Sequence, residues 1–218
     1  MNAVSDLRRN GSAGQLGAQH STAYESMYAN IPGLKVISVS NPYDAKGLLK
    51  SAIRDNDPVI FMESEVMYGE KGEIPEGEYL IPIGKAKVVR EGKDVTIVSF
   101  NKMMKVALAA ADELQKENIS AEVIDLRTIR PMDWQTILDS VKKTNRLVIV
   151  EEQWPFASVS SEIAYRIQKE GFDYLDAPVR RICSLDAPMH YAPNLVAQYL
   201  PDVPRTVNLV KEVMYLKK

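Results

Sequence analysis

Apolar and polar positions along the chain fall into blocks that read strand, helix, strand. Residues 35–40, KVISVS, form a short β-branched run. Behind them Asn41 can cap a helix that Pro42 opens, with Asp44 at the capping-box position. Ala45, Leu48, Leu49, Ala52 and Ile53 recur at i, i+3, i+4, i+7 and i+8, one apolar face of that helix. The helix stops in RDNDP at 54–58, and the apolar run VIFM at 59–62 follows as a buried strand. Residues 33–69 thus predict one βαβ unit.

A loop follows. Residues 69–84 interleave Gly69, Gly72, Pro75, Gly77 and Pro82 with acidic side chains, which is turn chemistry. Past it the alternation resumes, with strands at 86–89 and 95–100 joined by Glu91-Gly92-Lys93. A helix carries Met104, Ala107, Leu108, Ala111 and Leu114 on one face, and a strand at 122–126 comes next. A second helix bears Trp134, Ile137, Leu138 and Val141, ahead of a strand at 147–150. A helix at 159–169, a strand at 179–182 and a C-terminal helix from Thr206 complete the pattern. Strands alternating with helices of this length predict an α/β fold with a mostly parallel sheet covered on both faces. The chain divides into 1–68, a linker at 69–84, and 85–218, the last large enough to fold by itself.

Composition narrows the function classes. At 218 residues and 45% hydrophobic, the chain can bury a substantial core. A net charge of −2 without a Lys/Arg cluster argues against nucleic acid as a partner. No apolar run approaches the roughly 20 residues of a membrane span. The single cysteine, Cys183, excludes internal disulfides and fits a reducing compartment. The opening MNAVSDLRRN has neither the apolar core of a signal peptide nor the acid-poor composition of a transit peptide. A soluble intracellular protein is expected.

Four places could carry chemistry. His20 leaves a loop with Gly11, Gly14 and Gly17 for a predicted helix, and imidazole exchanges protons near neutral pH. A lone histidine is also an ordinary core or surface residue. The corner at 52–57 ends a helix, whose last carbonyls lack partners and suit a hard cation or water. Arg127 and Arg130 follow a strand and could hold an anion, but a salt-bridged connection is the simpler reading. Asp176 precedes Pro178 in a turn. Cys183 reads as a small hydrophobe, and His190 lacks a partner in the sequence.

The wording of these segments adds a resemblance. Residues 33–69, AQHS at 18–21, IDLRTIRPMD at 124–133, EEQWP at 151–155 and LDAPV at 175–179 stand in one order. In that order they resemble the β subunits of the thiamine-diphosphate-dependent 2-oxo acid dehydrogenases, a transketolase-like family. MESEVMYG at 62–69 and RTIRPMD at 127–133 resemble its pyruvate-specific branch more than its branched-chain one. The resemblance implies a partial pyrimidine-type domain followed by a transketolase C-terminal-like domain. It implies oxidative decarboxylation of pyruvate, with acetyl transfer to lipoyl groups, in a heterotetramer of α and β subunits.

It places His20 in the active-site channel as a catalytic residue. It gives Ala52, Ile53, Asp55 and Asp57 to a structural potassium ion, with Asp57 where asparagine is common. Asp176 and the carboxylate of Lys218 would contact the subunit-binding domain of the acyltransferase. Thiamine diphosphate would be shared with the α subunit, which would bring Mg2+, and a second β subunit would complete the assembly. The location would be the cytoplasm in a bacterium or the mitochondrial matrix in a eukaryote. The residues ahead of Arg8 do not resemble the family. The segment bearing the glutamate that meets the aminopyrimidine is missing, so truncation, a bare edge on the first sheet and inactivity alone are expected. The alternatives are a non-catalytic assembly module that binds the α subunit or the acyltransferase core, and a branched-chain 2-oxo acid dehydrogenase β subunit.

Overall fold

A computed structural model of the chain describes residues 5–12 and 14–216, so Lys218 lies outside the described residues. The first block holds β1 (Ser5–Arg9), α1 (Glu25–Ala29), β2 (Lys35–Ser38), α2 (Pro42–Arg54) and β3 (Val59–Glu63). The second begins with β4 (Lys87–Arg90), β5 (Val95–Ser99), α3 (Met103–Lys116), β6 (Ala121–Asp125) and β7 (Thr128–Arg130). It continues through α4 (Trp134–Thr144), β8 (Leu147–Val150), α5 (Val159–Glu170), β9 (Arg180–Ile182), α6 (Pro193–Tyr199) and α7 (Val203–Val213).

Two sheets result, ordered β1-β3-β2-β7 and β4-β6-β5-β8-β9. In the first, β1 and β2 both run parallel to β3, so the C-terminal ends of all three share one edge. The predicted cap is present, with the Asn41 side chain accepting from the Asp44 amide at 2.9 Å. Leu48 and Ala52 bury against Ile37, Val59 and Phe61. Each of the larger side chains contributes about 1.5–3 kcal/mol when fully buried. Ile53 is a correction to the predicted apolar face, since it is 63% exposed at the helix end.

In the second sheet, β5, β6 and β8 are parallel and buried along their length. Core side chains of α3 and α7 join β5, β6 and β8 in one apolar cluster, and those of α4 and α5 join them in another. This is the doubly covered parallel sheet that the alternation predicts, with β4 antiparallel at one edge.

Three departures have physical reasons. The expected bare edge of β3 is covered, because residues 5–9 run along it as β1. Asp6, Arg8 and Arg9 put charge on this outer strand, as outer strands commonly do. Residues 128–130 leave the second block to pair antiparallel with β2, so the first sheet is completed by sequence from beyond the linker. Helix α7 starts at Val203, ahead of the predicted Thr206, because the Asp202 carboxylate caps it by accepting from the Arg205 amide at 2.7 Å.

Candidate functional site

Ligands of open parallel sheets bind outside the carboxyl ends of the strands, and the shared edge of β1, β2 and β3 carries the loop that holds His20. The chain leaves β1 through Asn10, whose amide donates to the Glu63 carbonyl at 2.9 Å. The Gly11 amide then donates to the Thr22 carbonyl at 3.0 Å, which closes the neck of the loop that carries His20. Gly11 has φ +74°, and a Cβ here would collide with the Glu152 carboxylate, so both backbone and space require glycine. His20 is exposed on this loop and makes no hydrogen bond among the described residues. The helix expected directly after it starts later, at Glu25. Beside it the Ser21 hydroxyl, and past β3 the Ser64 hydroxyl, are buried without hydrogen-bond partners. A buried unpartnered hydroxyl costs about 1–3 kcal/mol, which a ligand or water in this edge would offset. The unengaged imidazole, with the unpartnered Ser21 hydroxyl next to it in sequence, leaves polar groups at this edge that a ligand could engage.

Behind the loop lies a buried polar seam that the sequence reading missed. Glu25 accepts from Asn10 Nδ2 at 2.6 Å and from Ser38 Oγ at 3.0 Å, and Gln153 Nε2 reaches its other oxygen at 3.4 Å. Ser38 Oγ accepts from Asn101 Nδ2 at 2.8 Å. The Lys102 ammonium meets the Glu152 carboxylate at 2.7 Å and donates to the Ser12 carbonyl at 2.7 Å. Burial pushes Glu25 up to about 7, against the hydrogen bond from Ser38. Burial also raises Glu151, which takes the Ser160 hydroxyl and amide. The signal was present: Glu151 and Glu152 directly follow a strand buried along its whole length, so water could not solvate them.

The other expected positions stand apart from this edge. At the corner after α2, Lys35 Nζ lies 2.7 Å from Asp55 and 3.0 Å from Asp57. The hydrogen bond from Lys35 holds Asp55 below the usual carboxylate range. Both carboxylates of the expected potassium set therefore already face an ammonium, and the Ala52 carbonyl accepts from the Asp55 amide at 3.3 Å. Ile53 faces solvent. Among the described residues no three carboxylate, imidazole or thiol groups stand together as a metal site.

Arg127 takes the salt-bridged reading, bonded through Nε at 3.0 Å and its terminal nitrogen at 2.5 Å to the two oxygens of Asp44. Arg130 donates to the Ala29 carbonyl. Asp176 is exposed and lies 3.2 Å from Arg146, and the Tyr215 hydroxyl donates to its carbonyl at 3.0 Å. This places Tyr215 beside Asp176. Cys183 follows β9, and burial together with the nearby Glu151 pushes its thiol up to about 12, which leaves it inert as a nucleophile. His190 packs edge-on against Tyr199 with centroids 5.9 Å apart. No helix among the described residues is long and apolar enough to cross a membrane.

Comparison with known proteins supplies the family. Residues 2–71 match the transketolase pyrimidine binding domain, and residues 84–205 match the transketolase C-terminal domain. The chain is 52% identical over 206 residues to the pyruvate dehydrogenase E1 component subunit β of Rhizobium meliloti, covering 94% of this chain and 45% of that one. It is 53% identical over 213 residues to the mitochondrial subunit β-1 of Arabidopsis thaliana, covering 96% and 59%. The chain spans about half to two thirds of the length of such relatives, 64% in Rickettsia bellii. Among solved structures, an inactive β4 tetramer of a split-gene transketolase superposes with a TM-score of 0.76 at 22% identity, covering 99% of this chain and 66% of that one. A mutant transketolase of Pichia stipitis gives 0.66 at 14% identity, covering 97% and 30%. The chain belongs to the transketolase family, and within it is similar to the β subunits of pyruvate dehydrogenase E1 components.

Proposed function

We propose that the chain acts as the β subunit, or the C-terminal part of one, of a pyruvate dehydrogenase first component. With an α subunit and a second β subunit it decarboxylates pyruvate oxidatively and passes the acetyl group to a lipoyl group. The observation that carries this reading is identity of 49–53% to such subunits from bacteria and mitochondria over nearly the whole chain. Thiamine diphosphate, when bound, supplies the carbanion chemistry. This chain presents the His20 imidazole to the reacting centre, where a ring nitrogen gives or takes a proton. The α subunit holds the diphosphate and magnesium.

Alone, with thiamine diphosphate and magnesium, the chain is expected to show only the cofactor's background rate. In the complex with the α subunit, His20→Ala is expected to lower kcat about a hundredfold or more, the usual scale of acid–base contributions. Cofactor affinity, read by calorimetric titration, should change far less. Unchanged kcat would remove His20 from the mechanism. The same assays in potassium and in tetramethylammonium salts read the cation at Ala52, Ile53, Asp55 and Asp57. There Lys35 engages both carboxylates, so a bound cation would have to compete with its ammonium.

The exposed Asp176 carboxylate, together with the Lys218 carboxylate, forms the contact for the acyltransferase's subunit-binding domain; Tyr215 already lies against Asp176. Its pair with Arg146 is at the surface and worth about 0–1 kcal/mol, so a partner cation can replace it. Asp176→Ala is expected to weaken binding of that domain and flatten its salt dependence, and removing residues 215–218 to weaken it without unfolding the chain. Calorimetry at two ionic strengths decides. If neither change moves the affinity, the contact lies elsewhere.

A further inference from the structure

Behind the His20 loop lie Glu25, Glu151 and Glu152, each under 9% exposed, with Lys102 as the ammonium buried beside them. Lys102 is committed to Glu152. Glu151 is taken by the amide and hydroxyl of Ser160. Glu25 is left with neutral donors from three elements: Asn10 of the loop, Ser38 of β2, and Gln153 past β8. Asn101, before α3, faces it through Ser38. Asn10 in turn accepts from the Tyr24 amide at 2.7 Å, so Glu25, Asn10 and Tyr24 fasten both strands of the loop at its neck. At 1% exposure the carboxyl is closed off from bulk water in this arrangement.

We propose that Glu25 is a positioning residue whose carboxyl, held by Asn10, fastens the neck of the His20 loop, closed while protonated and loosened on ionisation. Burial, with the acidic Glu152 and Glu151 nearby, disfavours its charge and outweighs the hydrogen bonds it accepts, so its pKa rises from 4.5 to about 7. In the opened neck, hydration returns it toward the ordinary value. The closed state then binds the proton more tightly, so raising the pH through about 7 favours opening. The catalytic consequence rests on His20 serving the reacting centre; the clamp itself does not.

Hydrogen exchange of the loop amides in the purified chain tests this from pH 6 to 8.5, corrected for intrinsic rates. A His20→Gln background removes the imidazole's own protonation. Loop protection is expected to fall about tenfold from pH 6 upward, most of it before pH 7, and to level off above that. Glu25→Gln stays neutral and keeps an acceptor for Asn10, so its loop should remain protected across the range. Asn10→Ala, which also tests the clamp if the first variant folds poorly, should loosen the loop at every pH. Protection that ignores pH, or the same decline surviving in Glu25→Gln, overturns the proposal. In the assembled enzyme carrying native His20, Glu25→Gln should resist the alkaline loss of kcat while leaving KM near the wild-type value. If exchange behaves as expected and kcat does not follow, the clamp stands and the role of His20 falls.

Discussion

Arg127→Ala is expected to lower the unfolding free energy by about 3–5 kcal/mol, the range seen when one partner of a buried ion pair is removed. Its guanidinium meets Asp44 in a two-pronged contact, with the two side chains 10% and 0% exposed. Removing the arginine leaves a carboxylate inside the first turn of α2, with the Asn41 side-chain amide at 2.7 Å as its remaining polar support. The backbone at Arg127 also sits at φ +58°, unusual for a non-glycine residue. It stays there because its amide donates to Asp125 at 3.0 Å and its carbonyl accepts from the Ser38 amide at 2.9 Å. Urea unfolding of the two proteins measures the difference. Arg127→Lys keeps the charge and loses the fork, so it should fall between them. Replacing both partners by apolar residues, Arg127→Met with Asp44→Leu, should recover most of the loss. A cost below about 1 kcal/mol for Arg127→Ala would show that the pair contributes little.

The same pair bears on the division of the chain at 69–84. Asp44 lies in α2 and Arg127 follows β6, so the contact ties one sheet to the other. β7 adds to the first sheet from beyond the linker. We propose that 85–218 remains a unit with its own sheet and core. Excised, it would leave Arg127 and β7 without partners and be correspondingly less stable.

Most of the fold was legible because it is written in local signals. The Asn41 cap, the apolar face of α2 and the buried runs at 59–62 and 147–150 each depend on residues a few positions apart. β7 escaped because three residues carry no periodicity and their partner, β2, lies about 90 positions away. The short helix α6 escaped for a related reason: seven residues opened by Pro193 read as loop. The site divides in the same way. His20 is visible as a lone imidazole in a glycine-rich loop. Its support is not, because Asn10, Glu25, Ser38, Asn101 and Gln153 come from five separate segments, and each alone reads as an ordinary polar residue.

Asp125 should make stability fall as the pH rises, and Asp125→Asn should remove that slope. It ends β6 at 1% exposure, accepting from the Ser40 hydroxyl and the Arg127 amide. Burial raises its pKa from 3.8 to about 6; Asp44 raises it further, and the hydrogen bonds and Arg127 oppose. A carboxyl whose folded pKa lies above its unfolded value holds its proton more tightly in the folded state. Its contribution is complete below about pH 4 and lost as the pH rises through 6. At about 1.4 kcal/mol per unit, this amounts to something on the order of 3 kcal/mol between pH 4 and 7.5. Paired carboxylates such as Asp55, held low by Lys35, act with the opposite sign and lose their contribution on acidification. They are common to both proteins, so the wild-type minus Asp125→Asn difference cancels them. That difference, from urea unfolding at half-unit steps, should decline from pH 4 to 7.5. In an Arg127→Ala background the opposing cation is gone and the decline should move to higher pH. Parallel stability curves for wild type and Asp125→Asn across this range would mean that Asp125 keeps its ordinary acidity inside the fold.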